Sequence, residues 1–325
     1  MVEVFVFNPE HDLALAHGGK HYHAPRFAIQ MRRKDTALMA HAMPTGAALL
    51  CEDEREPLRA QLQQMGYETR IVTPDELSSL GACRYHPWGW DAAIKQRLLD
   101  YGARNEDLPD DEWLSRVRQA SHRRTSIAIH QRLRQLLGDT QMPPLPVECS
   151  SIEDTLDFCK KHPFSYVKTP WSNSGHGIYH VRSCEEPHFL RWLQSALHKQ
   201  GSVICEVAQE RLLDGGLEFF MRDGVAKFAG YSVFQVDSHS QFTGCLNEPQ
   251  QVLREHIMRF APNLDEVIDA LQQTITELVP FYHGPLGIDI FAYRRNEGNI
   301  ALNPCVELNL RCTMGFLQLE VEVRS

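Results

Sequence analysis

The chain has 325 residues, of which 43% are hydrophobic and 23% charged, and its formal net charge is −9. This length exceeds the usual size of one domain, so we expect two or three lobes. The negative charge and the lack of a broad basic face argue against nucleic acid as a main partner. No run approaches the ~18 apolar residues of a membrane span, so no membrane partner is predicted.

The cysteine pattern indicates a reducing compartment. Nine cysteines are scattered along the chain without a Cys-x-x-Cys pair. Cys51, Cys149, Cys159 and Cys205 lie in apolar runs, which is typical of buried thiols and not of a disulfide scaffold. The N-terminal apolar run ends at Phe7, too short for a signal peptide, and has no basic flank. We therefore expect a cytoplasmic protein, and the sequence leaves a homodimer open.

The N-terminal part is expected to form a parallel α/β lobe. A strand at 2–7, a second at 46–51, a helix at 54–65 and a third strand at 66–72 have the spacing of βαβ units. None of these strands is followed by Gly-x-Gly-x-x-Gly, so a dinucleotide site is not supported. Further on, residues 86–91 are predicted to open a helix with Asp91 as N-cap, and Trp88 and Trp90 to pack in the core.

The segment after the first strand, Asn8 to Asp12, has two interpretations. Ligands of open α/β sheets lie beyond the carboxyl ends of strands, which favours a ligand edge here. The same residues are also typical of a helix start with Asn8 as N-cap and Pro9 in the first turn. The loop from His17 to His23 is rich in histidine, but its spacing matches no standard zinc site. We interpret this loop as a surface or substrate loop.

Two stretches near the C-terminus, Pro285–Tyr293 and Leu302–Arg311, are predicted to form a hairpin. Side chains alternate along a strand, so Glu307, Asn309 and Arg311 should share one face. The hairpin would bring Asp289 close to Glu307 and Asn309. Two carboxylates and an amide oxygen suit Mg²⁺, and the planar fork of Arg311 suits a phosphate or carboxylate. The alternative is a solvated surface hairpin.

A second candidate lies upstream, where a strand that carries Lys168 leads into a loop rich in Ser, Asn and Gly. The backbone N–H groups of such a loop can surround phosphate oxygens, and the lysine adds positive charge. The loop is not a Walker loop, because the Gly-x4-Gly-Lys-Ser/Thr pattern is missing. Taken alone, a hairpin loop of this composition is most often only a turn.

Taken together, these motifs and their order resemble the ATP-grasp superfamily over roughly residues 120–315. The resemblance implies an α/β fold with a Rossmann-like lobe at 1–120, a lid lobe at 121–204 and a C-terminal lobe at 205–325. It implies ATP and Mg²⁺ as cofactors, with Mn²⁺ as the alternative ion. It places the metal at Asp289, Glu307 and Asn309. It places the phosphates at Lys168, Ser172, Ser174, Gly175 and Gly177.

The resemblance also implies where the nucleoside binds. The adenine hinge is placed at Glu210 to Leu213, with Glu206 as the alternative register, and the ribose acid at Glu218. Lys227 lies on a following strand and could reach a phosphate, although an exposed lysine is equally compatible with the sequence. Family members commonly place a basic residue that contacts ATP near the start of this lobe. Here Arg123 and Arg124 stand where a lysine is expected, and we interpret them as a solvated pair.

The activity that the resemblance implies is ligation of a carboxylate to an amine or thiol. ATP phosphorylates the carboxylate of a small molecule or peptide, and the second substrate attacks the acyl phosphate. Arg311 would steady the acyl phosphate, and Lys168 would assist as a catalytic cation. Two alternatives remain: an ATP-grasp kinase, and a divalent-metal hydrolase or binding protein that uses the histidine-rich loop.

Overall fold

The computed structural model describes residues 1–138, 142–172, 177–236, 242–295 and 298–319. The chain divides into two compact units, and the α/β class is confirmed. Met1–Gln119 and the segment from Leu310 onward form the first unit, and Ala120–Asn309 form the second. The three-lobe division remains a prediction. No helix of these ranges is long and apolar enough to cross a bilayer.

The first unit is built on a parallel sheet. Its strands are β1 (Val2–Val6), β2 (Ala48–Leu50), β3 (Arg70–Val72) and β4 (Cys83–Pro87), in the order β3-β2-β1-β4. All of the neighbouring strands are parallel, as the βαβ spacing predicted. The segment 86–91 leads into a helix, as predicted, although His86 itself pairs with Phe5 in β4. Asp91 does cap the next helix, and Trp88 is buried against Phe7.

Helices surround this sheet and cover its apolar core. They are α1 (His11–His17), α2 (Arg26–Asp35), α3 (Arg55–Gln64), α4 (Pro74–Leu77), α5 (Ala92–Asp100) and α6 (Asp111–Ala120), with 3-10 turns at Thr36–Ala42 and Asn105–Asp107. Asn8 is not the N-cap of α1, because the helix begins at His11 and Glu10 occupies the cap position.

The second unit opens with α7 (Arg124–Leu137) and a small antiparallel sheet. That sheet contains β5 (Val147–Cys149), β6 (Ser165–Lys168), β7 (Ile178–Val181) and β8 (Val203–Val207), in the order β5-β8-β6-β7. Helices α8 (Ile152–Lys161) and α9 (Pro187–Gln200) supply Cys159, Phe189 and Leu193 to a core that also contains Val167 of β6.

A larger antiparallel sheet completes the second unit. It contains β9 (Glu210–Arg222), β10 (Val225–Val236), β11 (Phe242–Cys245), β12 (Gly284–Arg294) and β13 (Ile300–Asn309), in the order β11-β10-β9-β12-β13. Helices α7, α10 (Gln250–Met258) and α11 (Leu264–Leu278) pack against it. The turn between β9 and β10 has positive φ at Asp223 and Gly224, which suits a two-residue hairpin. The last helix, α12 (Met314–Gln318), lies in the first unit.

Candidate functional site

One face of the large sheet collects the predicted acidic residues. Asp289 pairs directly with Glu307 on β13 and with Gly216 on β9, and Gly287 pairs with Asn309 and with Glu218. Directly paired residues project to the same face, so the four polar side chains share it. Asn309 Nδ2 lies 3.1 Å from Asp289 Oδ1. The hairpin therefore brings together the three residues predicted to hold a metal, and it places Glu218 diagonally next to Asp289.

The opposite face of the same strands explains why this arrangement forms. Leu217, Ile288 and Leu308 alternate with the polar residues and are buried on the side that the helices cover. A one-residue slip would bury the acids, so the apolar alternation fixes the register. Position 216 requires glycine, because a Cβ there would point to the polar face and lie 2.6 Å from Ser232 Oγ. Ser232 in turn donates a hydrogen bond of 2.9 Å to Glu218.

A bulge in β13 lies next to Glu307. Three residues, Pro304 to Val306, separate the paired residues Asn303 and Glu307, whereas only Ile290 separates their partners on β12. Proline cannot donate to a strand ladder and is tolerated at such bulges, which re-aim neighbouring side chains. His130 of α7 donates a hydrogen bond of 2.8 Å from Nε2 to the carbonyl of Cys305 and so supports the bulge. Pro304 was the sequence signal for this feature.

Lys168 lies on the face of the small sheet opposite to its apolar core. Its side chain is only 2% exposed, and its Nζ lies 2.6 Å from Glu206 Oε2 on the neighbouring strand. Burial lowers the pKa of Lys168, and the carboxylate of Glu206 opposes that shift. The guanidinium groups of Arg211 and Arg123 lower it further. The site thus contains a buried ion pair within a cluster of cationic side chains.

Arg123 is the residue that sequence analysis missed. It is 5% exposed, and its Nη1 donates to the carbonyl of Thr169 at 2.6 Å and to Ser172 Oγ at 2.8 Å. Its Nη2 donates to Glu307 Oε2 at 2.8 Å. The prediction of a solvated pair is therefore wrong for Arg123. It holds only for Arg124, whose side chain is 57% exposed and 3.7 Å from Glu148.

Arg123 joins the lysine-bearing strand and its loop to the acidic face. No motif predicted this, because two adjacent arginines before a helix ordinarily indicate surface charge. The position just ahead of α7 was the only available signal, since family members carry a basic residue there.

The phosphate loop is described only at its two ends. Ser174 and Gly175 lie outside the described residues. Ser172 is buried, and Thr169 donates its backbone N–H to the carbonyl of Gly177 at 2.8 Å. Gly177 has a φ of +72°, and a Cβ there would lie 2.3 Å from Thr169 Oγ1. Both ends of the loop therefore meet beside Lys168 in a conformation that favours glycine.

The predicted adenine hinge coincides with the link between the two sheets. β8 ends at Val207 and β9 begins at Glu210, whose exposed side chain lies 3.3 Å from Arg294 Nε. Leu213 pairs with Ala292, and the pairing of β9 with β10 starts one residue later. Within the described ranges, residues 210–213 therefore have a strand partner on one side only. Of the two registers, Glu206 is the one whose side chain reaches Lys168.

Lys227 lies on the polar face but away from the acids. It is exposed and pairs with Phe220, four residues along β9 from Gly216. Four strand residues span about 13 Å, so its backbone is that far from the level of Asp289. The structure does not bring Lys227 together with the acidic residues, and its contact with a phosphate remains a prediction.

Arg311 differs from the prediction that it shares the face of Glu307 and Asn309. β13 ends at Asn309, so the strand alternation does not extend to residue 311, which lies in the first unit. There its Nη2 lies 3.1 Å from Asp12 Oδ2, and its Nη1 donates to the carbonyl of Cys312 at 3.1 Å. The guanidinium of Arg311 is therefore paired with the carboxylate of Asp12. Its catalytic role remains a prediction.

The acidic face fits a hard divalent cation. Carboxylate and amide oxygens are the ligands that Mg²⁺ prefers, and turning over the Asn309 amide would present its oxygen beside Asp289. Glu307 is paired with the guanidinium of Arg123, which supplies the positive charge that a cation would otherwise provide. In the described ranges no three His, Cys, Asp or Glu side chains form a metal-binding group. A zinc site in the histidine-rich loop stays an alternative hypothesis.

Solved structures share this architecture at low sequence identity. One is biotin carboxylase from Campylobacter jejuni in a β-γ-ATP complex, with a TM-score of 0.55, 11% identity, and 98% of this chain and 68% of that chain covered. Another is the biotin carboxylase domain of the Hydrogenobacter thermophilus 2-oxoglutarate carboxylase with MgADP, with a TM-score of 0.54, 12% identity, and 99% and 70% covered. The chain has the ATP-grasp fold.

A third structure agrees with this ATP-grasp assignment. N5-carboxyaminoimidazole synthetase from Staphylococcus aureus, complexed with ADP, matches with a TM-score of 0.52 at 12% identity, over 95% of this chain and 70% of that chain. No protein-family model matches the sequence, and neither does any curated protein. The ATP-grasp fold that the motif order implied is thus confirmed by structural similarity.

Proposed function

We propose that the chain is an ATP- and Mg²⁺-dependent ligase that joins a carboxylate to an amine or thiol through an acyl phosphate. The observation that carries this proposal is the bridge of Arg123, which links Ser172 of the phosphate loop to Glu307 of the acidic face. Phosphate-binding groups and metal-binding groups must lie side by side when a metal ion bridges phosphate oxygens. One buried guanidinium in contact with both supports that arrangement.

In this proposal Lys168, Ser172, Gly177 and the intervening loop hold the β- and γ-phosphates. Asp289, Glu307 and Asn309 hold Mg²⁺, which when bound neutralises charge on the phosphate oxygens. Arg123 would then turn from Glu307 towards a phosphate, because the ion takes over its electrostatic role. The ammonium group of Lys168 would donate hydrogen bonds both to Glu206 and to a phosphate oxygen.

The nucleoside is proposed to lie along the link between the two sheets. Residues 210–213 present backbone groups on the side that has no strand partner in the described ranges, which suits the edge of an adenine ring. Glu218 is buried on the acidic face and suits the ribose hydroxyls. The alternative register would begin the hinge at Glu206, whose side chain contacts Lys168.

The test is calorimetric titration of Mg·ATP into the wild type, Lys168→Ala and the matched control Lys199→Ala, which alters an exposed lysine of α9. We expect binding to weaken at least tenfold in Lys168→Ala, about 1.4 kcal/mol, and to be unchanged in Lys199→Ala. Circular dichroism checks that each variant is folded. A folded wild type that does not bind Mg·ATP would contradict the proposal.

Product analysis then separates ligation from phosphate transfer. Carboxylates and amines are screened in pairs by release of ADP, and the products are identified by mass spectrometry. An amide or thioester supports the ligase. A stable phosphorylated product without an amide or thioester would instead establish a kinase on the same ATP-grasp fold.

A further inference from the structure

The strand order of the first unit creates a second candidate site. The chain passes from β1 to β2 and β3 on one side, and then returns to β4 on the other side of β1. The crevice beyond β1 and β4 is therefore the topological switch point, where open parallel sheets bind ligands. A cavity of about 160 Å³ lies there, lined by Asn8, Glu10, Tyr22, Asp91, Ala93 and Arg97 among others.

The two strand ends that border this cavity are locked together. Asn8 is 1% exposed and bonds to both the carbonyl and the N–H of Gly89, at 2.8 and 3.3 Å. His11 Nδ1 lies 2.9 Å from Asp91 Oδ2, and the other oxygen of Asp91 caps α5. A Cβ on Gly89 would lie 2.4 Å from the His11 ring. The cavity wall is therefore rigid before any ligand arrives.

One polar group of this wall lacks the partner that its burial requires. Glu10 is 4% exposed, and its Oε1 accepts a hydrogen bond of 2.8 Å from Arg97 Nη1. Its Oε2 is buried and has no hydrogen-bond partner among the described residues, and the same holds for Arg97 Nη2. An unsatisfied buried group costs on the order of 1–3 kcal/mol, more when it is charged. Both atoms belong to residues that line the cavity.

The charges around the cavity indicate which kind of ligand it would bind. Arg32 pairs with Glu52, whose Oε1 lies 2.9 Å from Arg97 Nε, and Arg97 pairs with Glu10. This chain of two cations and two anions is neutral by itself. Among the other residues that line the cavity, Asp91 and Asp100 add two formal negative charges and Lys20 adds one positive charge, so one negative charge is left over. The carboxylates leave room for one more cation that donates hydrogen bonds.

Tyr22 adds a neutral polar group to the same cavity. Burial, and then the charges of Glu10 and Asp91, raise the pKa of Tyr22 to about 12, so its hydroxyl stays protonated at neutral pH. A phenol that remains protonated can donate or accept a hydrogen bond but adds no negative charge. The cavity therefore suits a ligand that carries its own positive charge.

We propose that this cavity binds the ammonium group of a small amine-bearing molecule, with Glu10 Oε2 as acceptor. An amino acid would also offer a carboxylate to Arg97 Nη2, whereas a simple amine would use the carboxylate side alone. The volume lies below the ~300 Å³ of drug-sized pockets, which limits the ligand to a small molecule. That this ligand is the amine substrate rests on the proposed function.

The experiment measures binding to the full chain without turnover. The probes are the standard amino acids, simple amines such as ethanolamine and putrescine, and acetate and propionate as carboxylates without an amine. Each is tested by thermal shift and calorimetry, alone and with a saturating non-hydrolysable Mg·ATP analogue. Separate Mg·ATP titrations report on the proposed function, so failure of one is distinguishable from failure of the other.

Three variants locate the site. Glu10→Gln removes the charge of the acceptor, and Ala93→Phe fills the cavity without altering the Glu10–Arg97 pair. Glu68→Gln is the control, because Glu68 is exposed and does not line this cavity. We expect an amine or amino acid to bind the wild type and the control. Binding should weaken at least tenfold in the other two variants.

Three results would overturn the proposal. The first is that no amine or amino acid shifts the wild type in either nucleotide state, and the second is that carboxylates without an amine bind equally well. The third is full binding to Ala93→Phe in a preparation whose circular dichroism matches that of the wild type. Preference for amino acids over simple amines would identify Arg97 as a second contact.

Discussion

The two units place polar side chains on their sheets in different ways. In the second unit Asp289, Glu307 and Glu218 lie on one face of an antiparallel sheet, on three neighbouring strands and at paired or diagonally adjacent positions. In the first unit Asn8 and Asp91 lie beyond the ends of parallel strands and meet across 83 positions of sequence. The first arrangement follows from local alternation, and the second depends on how the whole sheet is connected.

The ion pairs of the two regions also differ. Glu307 on the acidic face pairs with Arg123, and Glu206 on the small sheet pairs with Lys168. Both acids therefore already have cationic partners that a metal ion or phosphate would have to exchange. At the sheet edge, the Glu10–Arg97 pair leaves one oxygen of Glu10 without a donor. We therefore expect substitutions on the acidic face to act by breaking ion pairs. Beyond the ends of β1 and β4, we expect them to act by removing the oxygen of Glu10 that lacks a hydrogen-bond donor.

Arg123→Ala should have the largest effect on stability. Removing one partner of a buried ion pair leaves the other charge uncompensated, which costs about 3–5 kcal/mol. Urea unfolding should show that loss, and Mg·ATP binding should weaken with it. Arg124→Ala is the control, since its exposed side chain makes only a long contact with Glu148. Equal stability of the two variants would mean that the Arg123 bridge contributes nothing.

Glu307→Gln should lower ADP release by about 10²–10³-fold, because it removes a charge that is proposed to hold the metal next to the reacting phosphates. Glutamine keeps an acceptor for Arg123, so the fold should be retained. Glu266→Gln, an exposed acid of α11, should turn over normally. Amine binding at the sheet edge should be unaffected in both. Wild-type turnover by Glu307→Gln would show that the metal assignment is wrong.

The acidic face could be predicted because its signals are local. Asp289, Glu307 and Asn309 each alternate with apolar residues, and the two strands are joined by a short turn, so pairing and face followed from the sequence. The role of Arg123 could not be predicted, because it depends on contacts with Thr169 and Glu307, which are 46 and 184 positions away in the sequence.

Other differences from the sequence predictions also depend on distant partners. Asn8 has the composition of a helix cap, but its side chain is used by Gly89, which lies 81 positions later. Arg311 was expected to continue the strand alternation, but it pairs with Asp12, 299 positions earlier. Local preference predicts the elements, and tertiary contacts decide which polar groups remain available to a ligand.

A fall in pH should destabilise the folded protein through His130, which supports the strand that carries Glu307. Burial lowers the pKa of His130 to about 4, against 6.5 in the unfolded chain, so the unfolded state binds more protons between these values. The stabilisation is complete above pH 6.5 and is lost as the pH falls towards 4. Between pH 6.5 and 5 we expect a loss of about 2 kcal/mol.

The measurement compares urea unfolding of wild type and His130→Gln at pH 7 and pH 5. Glutamine can donate to the carbonyl of Cys305 but does not titrate, so the variant should lose less stability on acidification. An identical pH dependence in both proteins would mean that another group is responsible. His162→Gln, at the half-buried C-cap of α8, controls for the loss of a histidine as such.

Gly177→Ala and Gly201→Ala should separate backbone strain from crowding at the phosphate loop, with the smallest effects of the series. Both glycines have positive φ, +72° and +82°, and alanine in that region costs about 1 kcal/mol. A Cβ at Gly201 meets nothing within 4 Å, whereas one at Gly177 lies 2.3 Å from Thr169 Oγ1 and 2.8 Å from Ser172 Cβ. Ser172 cannot move freely, because Arg123 holds its hydroxyl.

We expect Gly177→Ala to cost about 1 kcal/mol more in unfolding free energy than Gly201→Ala and to weaken Mg·ATP binding, while Gly201→Ala leaves that binding intact. Equal ATP affinity of the two variants would show that the loop ends can separate without loss of the nucleotide site.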